Sequence, residues 1–369
     1  MTTIEQLQDR IQSAAASRTL LRIRGGGSKD FYGESLQGEV LDVSSYSGVI
    51  EYEPTELVIT ARCGTPLAEL EAALDAQNQM LAFEPPHFSS LSRMRERAQG
   101  EGIATIGGVI ASGIGGPTAV YAGRVRDFVL GAKLIDGKGQ HLAFGGQVMK
   151  NVAGYDVSRL LAGSLGTLGV ITQVSLKVLP KPVASSTLQL ELGEADAIRK
   201  LNEWAGQPLP LSASAWRGGV LCVRLAGAHA AVSAAVLKMG GSIMQDAHAV
   251  SFWRGVREHT DAFFKQPRGG HPVIRVTVPS TTPPLGLPGD TLMEWGGAQR
   301  WVMGCDLQQA RDAAKNAGGH ATRFSQGDTA ANGGFMSPLD PVTKRIHLNL
   351  KNEFDPAAIF NRGRMFADL

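Results

Sequence analysis

Cysteine is scarce in this 369-residue sequence, which contains only Cys63, Cys222 and Cys305. The three lie far apart and form no CxxC pair, so local cysteine ligands cannot build a zinc site or an iron–sulfur cluster. An odd and sparse set of cysteines also argues against a disulfide framework and favours a reducing compartment. Cysteine-based metal or cluster chemistry is therefore not expected in this chain.

Long apolar runs are missing as well. No stretch approaches the roughly 20 apolar residues that a membrane-spanning helix needs. The first residues, MTTIEQLQDRIQSAAAS, are too polar for a signal peptide and predict a first helix. We expect a cytoplasmic protein with at most peripheral association with the inner face of the cytoplasmic membrane. The net charge of +2 gives too weak a field to favour nucleic acid as a partner.

The residues that are present predict a soluble globular chain, because 43% are hydrophobic and 19% are charged. The length exceeds one ordinary core, and we expect two domains. Asp136-Gly137-Lys138-Gly139 predicts a hairpin turn, and Thr65 is expected to cap a helix with Pro66 in its first position. The predicted strands of this half are Val40–Val43, Val49–Tyr52, Leu57–Ala61, Gly131–Ile135, Gln140–Phe144 and Val170–Leu179.

Pro180-Lys181-Pro182 ends the last of these strands, and we place a domain boundary there. The following segment has the pattern strand–helix–strand–strand–helix–strand, which is typical of a ferredoxin-like fold. Part of it, AVSAAVLKMGGSIMQ, is echoed by ARDAAKNAGGHATRF, so we expect one antiparallel sheet in this domain. The predicted division is residues 1–182, residues 183–335, and a C-terminal segment, residues 336–369, that returns to the first domain.

Glycine is abundant, with 45 residues, and three clusters fall in the first half: Arg24–Ser28, Thr105–Pro117 and Gly163–Thr172. A glycine at the edge of an apolar segment lets main-chain N–H groups approach an anion without an intervening Cβ. Each hydrogen bond to a charged group contributes roughly 1.5–3 kcal/mol. A few such bonds could hold a diphosphate without a large basic patch. Ordinary turns are the alternative explanation for any one cluster.

Two common phosphate-binding motifs are absent from the sequence. A P-loop requires GxxxxGK followed by Ser or Thr, and no such run occurs. A Rossmann site requires GxGxxG between a strand and a helix, whereas GSLGTLG has a different spacing and precedes a predicted strand. ATP and a Rossmann-bound NAD are therefore disfavoured.

The series RGGGS, TIGGVIASGIGG, GYDVSRLLAGSLGTLGVIT and FDPAAIFNRGR resembles the FAD domain of the vanillyl-alcohol-oxidase and p-cresol-methylhydroxylase (PCMH) family. The resemblance covers about residues 20–182 and the C-terminus. FEPPHF, KNVAGYDVSRL and the short second domain are similar to the FAD-binding subunits of bacterial glycolate oxidases. The implied fold class is α+β, a two-part FAD-binding domain of this type with a ferredoxin-like antiparallel α+β cap domain.

The resemblance also implies which residues hold FAD. The first cluster would cradle the diphosphate, the second would line the phosphate and flavin channel, and the third would face the adenosine end. The tail matches an Asn-Pro-Gly-basic motif near the isoalloxazine, except that Arg362 replaces the proline. No histidine lies in RGGGSKD, so non-covalent FAD is expected. The implied residues are Gly25, Gly26, Gly27, Ser28, Lys29, Gly107, Gly108, Ser112, Gly115, Gly116, Gly166, Val170, Ile171, Asn361, Gly363 and Arg364.

By the same resemblance, the chain would be an FAD-dependent 2-hydroxyacid oxidoreductase subunit that is active in a complex. Glycolate, or a similar 2-hydroxy acid, would be oxidised to glyoxylate, and electrons would pass from FAD to an iron–sulfur subunit and on to quinone. A larger FAD-containing subunit would hold the substrate site. Larger relatives carry a His-x-Gly-Asp-Gly-Asn-x-His metal motif that this sequence lacks, so no metal site is expected.

No convincing catalytic base is found in the sequence. Arg275 and Arg224, on predicted strands, could bind a substrate carboxylate, and His347 lies near the tail motif in sequence. A solvated sheet or helix surface is the simpler explanation for each of them. Two other functions remain open: a self-sufficient FAD-dependent oxidoreductase for another small 2-hydroxy acid, and a non-catalytic scaffold with a vestigial flavin pocket.

Overall fold

The computed structural model describes residues 2–88, 103–146, 155–265, 271–324 and 334–368, so the first residues of the motif KNVAGYDVSRL lie outside the described part. The chain divides into two compact units. The first unit comprises Met1–Ile114, Arg124–Pro180 and Pro338–Leu369, and the second comprises Gly115–Gly123 and Lys181–Ser337. The sequence prediction assigned residues 115–123 to the first domain, whereas the structure groups them with the second unit.

Helices and strands are numbered in chain order. The α-helices are α1 (Ile4–Ser17), α2 (Leu67–Asp75), α3 (Ile106–Ser112), α4 (Ala119–Ala122), α5 (Val125–Phe128), α6 (Val157–Leu160), α7 (Glu194–Ala205), α8 (His229–Met239), α9 (Asp246–Arg257), α10 (Leu307–Asn316) and α11 (Pro341–Phe354). The strands are β1 (Leu21–Arg24), β2 (Glu39–Asp42), β3 (Val49–Glu53), β4 (Val58–Arg62), β5 (Gln79–Met80), β6 (Val129–Ile135), β7 (His141–Gly145), β8 (Val170–Lys177), β9 (Leu179–Pro180), β10 (Ala184–Glu191), β11 (Leu211–Arg217), β12 (Val220–Gly227), β13 (Ser242–Ile243), β14 (Ile274–Thr277), β15 (Asp290–Glu294), β16 (Gln299–Met303) and β17 (His320–Arg323).

The first unit contains a five-stranded antiparallel sheet in the order β3-β4-β8-β6-β7. Its core joins apolar residues of β4, β6 and β8 to α3 and to the leucine stripe of α2. A separate parallel pair is formed by β1 and β2, and Leu21 of β1 also bridges Phe360 in parallel. Strand β1 therefore lies against both β2 and the C-terminal segment, and the first glycine cluster begins at its end.

The second unit contains one eight-stranded antiparallel sheet in the order β13-β10-β12-β11-β15-β16-β14-β17. Strands β10–β13 have the ferredoxin-like order, and β14–β17 repeat it in reverse across the β11–β15 junction. Helices α7 and α8 pack on the first half, and α10 packs on the second. Between β14 and β15 the described residues form an extended loop where the first half has α7. The predicted α+β class and the single antiparallel sheet are confirmed.

One local prediction is wrong, and helices α3 and α9 were not predicted. Pro66 is the N-cap of α2, and Thr65 instead donates its hydroxyl to the carbonyl oxygen of Arg62 at 2.6 Å. Helix α3 occupies much of the second glycine cluster, for which the sequence predicted no helix. Helix α9 was not predicted at all, although Trp253 and Val256 give it a buried face.

Candidate functional site

A cleft in the first unit opens directly after β1 and has a volume of about 120 Å³. All three glycine clusters and the C-terminal tail contribute to its walls. The predicted residues that line it are Gly25, Gly26, Gly27, Ser28, Lys29, Gly107, Gly108, Ser112, Gly166, Ile171, Asn361 and Arg364. Segments separated by more than 300 residues in sequence therefore meet at one site.

The triple-glycine turn is required in part by the packing of the protein against itself. A Cβ on Gly26 would lie 1.6 Å from the carbonyl oxygen of Ile103, and one on Gly25 would lie 2.4 Å from Oγ1 of Thr105. Gly27 has a φ of +76°, which side-chain-bearing residues rarely adopt. The absence of side chains here is thus explained before any ligand is considered.

The same turn presents main-chain donors to the cleft. Within the described chain, the N–H groups of Gly25, Gly26, Gly27 and Ser28 donate to no protein acceptor. Ser28 is nevertheless buried, with 4% of its surface exposed. Buried N–H groups without partners are costly, and successive free N–H groups form an anion-binding concavity. This turn has the chemistry of a phosphate site.

The second cluster lines the cleft, but the N–H groups of its first two glycines bond within the protein. The N–H of Gly107 donates to the carbonyl oxygen of Cys63 at 2.8 Å, and that of Gly108 donates to Oγ1 of Thr105 at 3.3 Å. A Cβ on Gly107 would lie 2.7 Å from Cβ of Cys63. These glycines therefore supply a wall without side chains rather than free donors. Burial raises the pKa of the Cys63 thiol, which disfavours a reactive thiolate.

The third cluster is anchored to the end of α3. The N–H of Gly163 donates to the carbonyl oxygen of Ile110 at 3.0 Å, and that of Leu165 donates to Ala111 at 2.8 Å. Gly166 has a φ of +70° and faces the cleft beside Leu165. These two hydrogen bonds fix the position of the third cluster relative to the second.

Asn361 ties the tail to two other walls of the cleft. Its Oδ1 accepts from the N–H of Ile23 at 2.9 Å, and its Nδ2 donates to the carbonyl oxygen of Leu165 at 2.7 Å. Its own N–H donates to the carbonyl oxygen of Leu21 at 2.9 Å. The side chain thereby continues the ladder that β1 forms with the tail, and its φ of +40° suits asparagine. The amide is committed to main-chain groups of the protein.

Arg364 holds the loop that follows the triple-glycine turn. Its guanidinium donates to the carbonyl oxygens of Asp30 at 2.8 Å, Lys29 at 3.3 Å, and Glu34. Burial lowers the pKa of Arg364 to about 10, and the nearby charge of Asp30 opposes that shift. The arginine remains cationic at neutral pH and adds positive charge to the wall of the cleft.

Two further cations flank the cleft. Nε of Arg24 lies 2.9 Å from Oδ2 of Asp30, and Nζ of Lys29 lies 5.7 Å from the centre of the Phe88 ring. Together with Arg364 they leave an excess of positive charge near the free N–H groups. Asp30 and Cys63 line the cleft without having been predicted to do so. Arg24 and Thr105 fall within the predicted glycine clusters but were not among the residues predicted to hold FAD, and only Thr105, a favoured helix-capping type, carried a local signal.

Several predicted residues lie elsewhere. Val170 is buried in a core beside β1, and neither it nor Gly363 is among the described residues that line the cleft. Gly115 and Gly116 belong to the second unit.

Two of the three catalytic candidates belong to the second unit and one belongs to the first. In the second unit, Nε of Arg224 on β12 donates to Oγ of Ser212, and the guanidinium lies over the ring of Trp253. Arg275 lies on β14 of the same sheet, with three strands between it and β12. In the first unit, His347 on α11 packs against the ring of Phe366 at 5.7 Å.

Among the described residues, histidine, cysteine, aspartate and glutamate side chains form no group of three that could bind a metal ion. No helix in the described ranges has the length and apolar character needed to cross a membrane.

Comparison with known proteins identifies the class first. Residues 1–92 match the family model of the FAD binding domain. The solved structure of an alkyldihydroxyacetonephosphate synthase aligns with 97% of this chain and 74% of that one, with a TM-score of 0.63 and 15% identity, which shows a shared fold. The chain is thus an FAD-binding protein with the vanillyl-alcohol-oxidase type of fold, and its cofactor is FAD.

The particular family follows from a full-length relative. Glycolate oxidase subunit GlcE of Escherichia coli (strain K12) is 45% identical over 366 residues, which cover 99% of this chain and 98% of that protein. The chain belongs to the family of this subunit. Glycolate oxidase subunit GlcD of Bacillus subtilis (strain 168) is 33% identical over 151 residues, 41% of this chain and 29% of that one.

Proposed function

We propose that the chain binds FAD non-covalently in the glycine-lined cleft and serves as the FAD-binding subunit of a multi-subunit glycolate dehydrogenase. The observation that carries this proposal is the run of free main-chain N–H groups from Gly25 to Ser28, set in a cleft with an excess of cations. A diphosphate needs such donors and charges. RGGGSKD contains no histidine to which a flavin could be attached.

Each wall has a proposed part in holding the cofactor. Gly25–Ser28 would donate to the diphosphate, with Lys29 and Arg24 adding charge. Gly107, Gly108 and Ser112 would give a smooth wall, because two of the three have no side chain. Gly166 and Ile171 would form the opposite wall. Asn361 and Arg364 would keep these walls in place through the main-chain bonds described above.

When bound, FAD supplies a two-electron acceptor for the oxidation of an alcohol such as glycolate to the aldehyde glyoxylate. The protein's own contribution in the first unit is to bind the cofactor and fix its position. The carboxylate of Asp30 is engaged by Arg24, which argues against a role as the base that takes the hydroxyl proton. Arg224 and Arg275 stay candidates for a carboxylate contact.

The lack of a convincing catalytic base among the described residues supports a function within a complex. We propose a larger FAD-containing subunit that holds the substrate site and an iron–sulfur subunit that takes electrons toward quinone. The relative GlcE is named as a subunit, and the sequence has no CxxC pair from which a cluster of its own could be built. The complex would be cytoplasmic, or peripheral at the inner face of the membrane.

The test is purification of the complex from the native host, with flavin and iron quantified in the same sample. We expect co-purifying subunits, iron, and flavin that acid precipitation releases from this chain. The isolated chain should bind FAD but oxidise glycolate far more slowly than the complex. Full activity of the chain alone with an artificial acceptor would favour the self-sufficient oxidoreductase, and absence of flavin would favour the scaffold.

A further inference from the structure

A buried ion pair lies at the C-terminal end of α11. Nζ of Lys351 is 2.6 Å from Oδ2 of Asp355, and the two side chains are 7% and 0% exposed. The ammonium group also donates to the carbonyl oxygens of Thr167 at 2.7 Å and Phe360 at 2.8 Å. Its three hydrogens thus match three acceptors. Burial lowers the pKa of Lys351, and the charge of Asp355 opposes that shift.

The acceptors belong to two different walls of the cleft. Thr167 lies in the third glycine cluster, between the lining residues Gly166 and Gly169. Phe360 precedes the lining residue Asn361 and bridges Leu21 of β1. One nitrogen atom therefore fixes the spacing between the glycine loop and the tail.

Asp355 completes the connection. Its Oδ1 accepts from the N–H of Ile359 at 3.1 Å, and its Oδ2 accepts from the N–H of Phe360 at 2.8 Å. At Phe360, the main-chain N–H is thus bonded by Asp355 and the carbonyl oxygen by Lys351. Lys351 and Asp355 are absent from the described lining of the cleft, so their effect on a bound cofactor would be indirect.

We propose that Lys351 is a positioning residue for FAD, which sets the width of the cleft by cross-linking the third glycine cluster to the tail. This inference rests on the proposed FAD site. The matched comparison is Lys344 on the same helix, whose ion pair with Asp368 is exposed and does not involve the glycine loop. Replacing each lysine in turn compares the loss of the buried cross-link with the loss of an ordinary surface ion pair.

The experiment uses the full chain and the variants Lys351→Met, Lys351→Met combined with Asp355→Asn, and Lys344→Met. The dissociation constant of FAD is measured by titration of the apoprotein, and amide hydrogen exchange is followed without FAD. For Lys351→Met we expect the dissociation constant of FAD to rise by roughly tenfold or more. Exchange should become faster in residues 163–169 and 359–364 but not in α1. Lys344→Met should match the wild type.

The double variant separates positioning from simple charge burial. It removes the cross-link without leaving Asp355 as an uncompensated buried charge. Weak FAD binding in the double variant supports the proposal, and recovery of wild-type affinity overturns it. Unchanged affinity in Lys351→Met also overturns it; if that variant does not fold, Lys351→Gln is judged by the same criteria. A wild-type chain without FAD affinity would instead overturn the proposed function, and this inference with it.

Discussion

Asn361 and Gly166 are in such close contact that a Cβ on Gly166 would lie 2.7 Å from Nδ2 of Asn361. The same Nδ2 donates to the carbonyl oxygen of Leu165, the residue before this glycine. The asparagine and the glycine therefore pack directly against each other, although 195 positions separate them in sequence.

Gly166→Ala should lower the stability of the first unit. The residue has a φ of +70°, and the added methyl group would collide with Asn361. We expect the free energy of unfolding to fall by about 1–3 kcal/mol from backbone strain, with a further loss from the collision. Gly218→Ala is the control, since Gly218 has a φ of +55° but no atom within 4 Å of its added Cβ. Equal losses in the two variants would contradict the collision.

Gly108→Ala distinguishes a cofactor wall from ordinary helix packing. The nearest atom to an added Cβ is Oγ1 of Thr105 at 3.4 Å, so the apoprotein can accommodate the change. Because alanine favours a helix, the apoprotein should be unchanged or stabilised by up to about 1 kcal/mol. FAD binding should weaken by about tenfold if the cofactor passes this wall. Chemical denaturation and FAD titration measure the two effects; unaltered affinity would place FAD away from α3.

Arg364→Lys should loosen the loop after the triple-glycine turn. A lysine keeps the charge but cannot reproduce the fork that contacts the carbonyl oxygens of Asp30 and Glu34. Loss of one charge-assisted bond is worth about 1.5–3 kcal/mol, and we expect FAD affinity to fall by about tenfold. Arg345→Lys, at an exposed position of α11, is the control for the same chemical change. Calorimetric titration with FAD measures both.

Acid should destabilise the second unit through His259. Its ring is stacked on Phe264 at 4.3 Å and touches Trp301 at 4.6 Å, and burial lowers its pKa from 6.5 to about 3. Below pH 6.5 the unfolded state therefore binds a proton that the folded state excludes. Stability should fall by about 1.4 kcal/mol per pH unit between pH 6.5 and 3, beyond the contribution of other groups.

Tryptophan fluorescence can follow this titration, because all five tryptophans lie in the second unit. His259→Phe should reduce the pH dependence of the unfolding midpoint in this range. His248→Gln, which removes an exposed imidazole on α9, should leave it as in the wild type. The same slope in His259→Phe and the wild type would show that His259 is not the responsible group.

The sequence carried enough information to predict most strands of both units, although β1 and β5 were not predicted. In strands such as Val170–Lys177, apolar residues either alternate with polar ones or follow one another without a break, and both patterns predict a strand. The hairpin turn at Asp136–Gly139 is predicted by its own four residues. The ferredoxin-like order followed from the succession of elements. These features depend on residues that are near one another in the chain, so they could be predicted without a structure.

Features that depend on distant contacts could not be predicted. Helix α3 contains Gly107 and Gly108, which disfavour a helix, and contacts with Cys63 and Thr65 stabilise its first turn. The resemblance named Asn361 and Arg364 as residues near the flavin, but only the structure shows that both bond main-chain groups. Gly25 and Gly26 are explained by Ile103 and Thr105, about 80 positions away.

The second unit is formed by two separate passes of the chain, and this limits how it can be isolated. Nε1 of Trp295 donates to the carbonyl oxygen of Gly116 at 3.1 Å, and the hydroxyl of Tyr121 bonds that of Ser214 at 3.2 Å. A fragment cut at Lys181 and Ser337 would lack both partners and expose a buried indole. Residues 115–123 would have to be supplied as a separate peptide or spliced on by a linker before such a fragment could be studied alone.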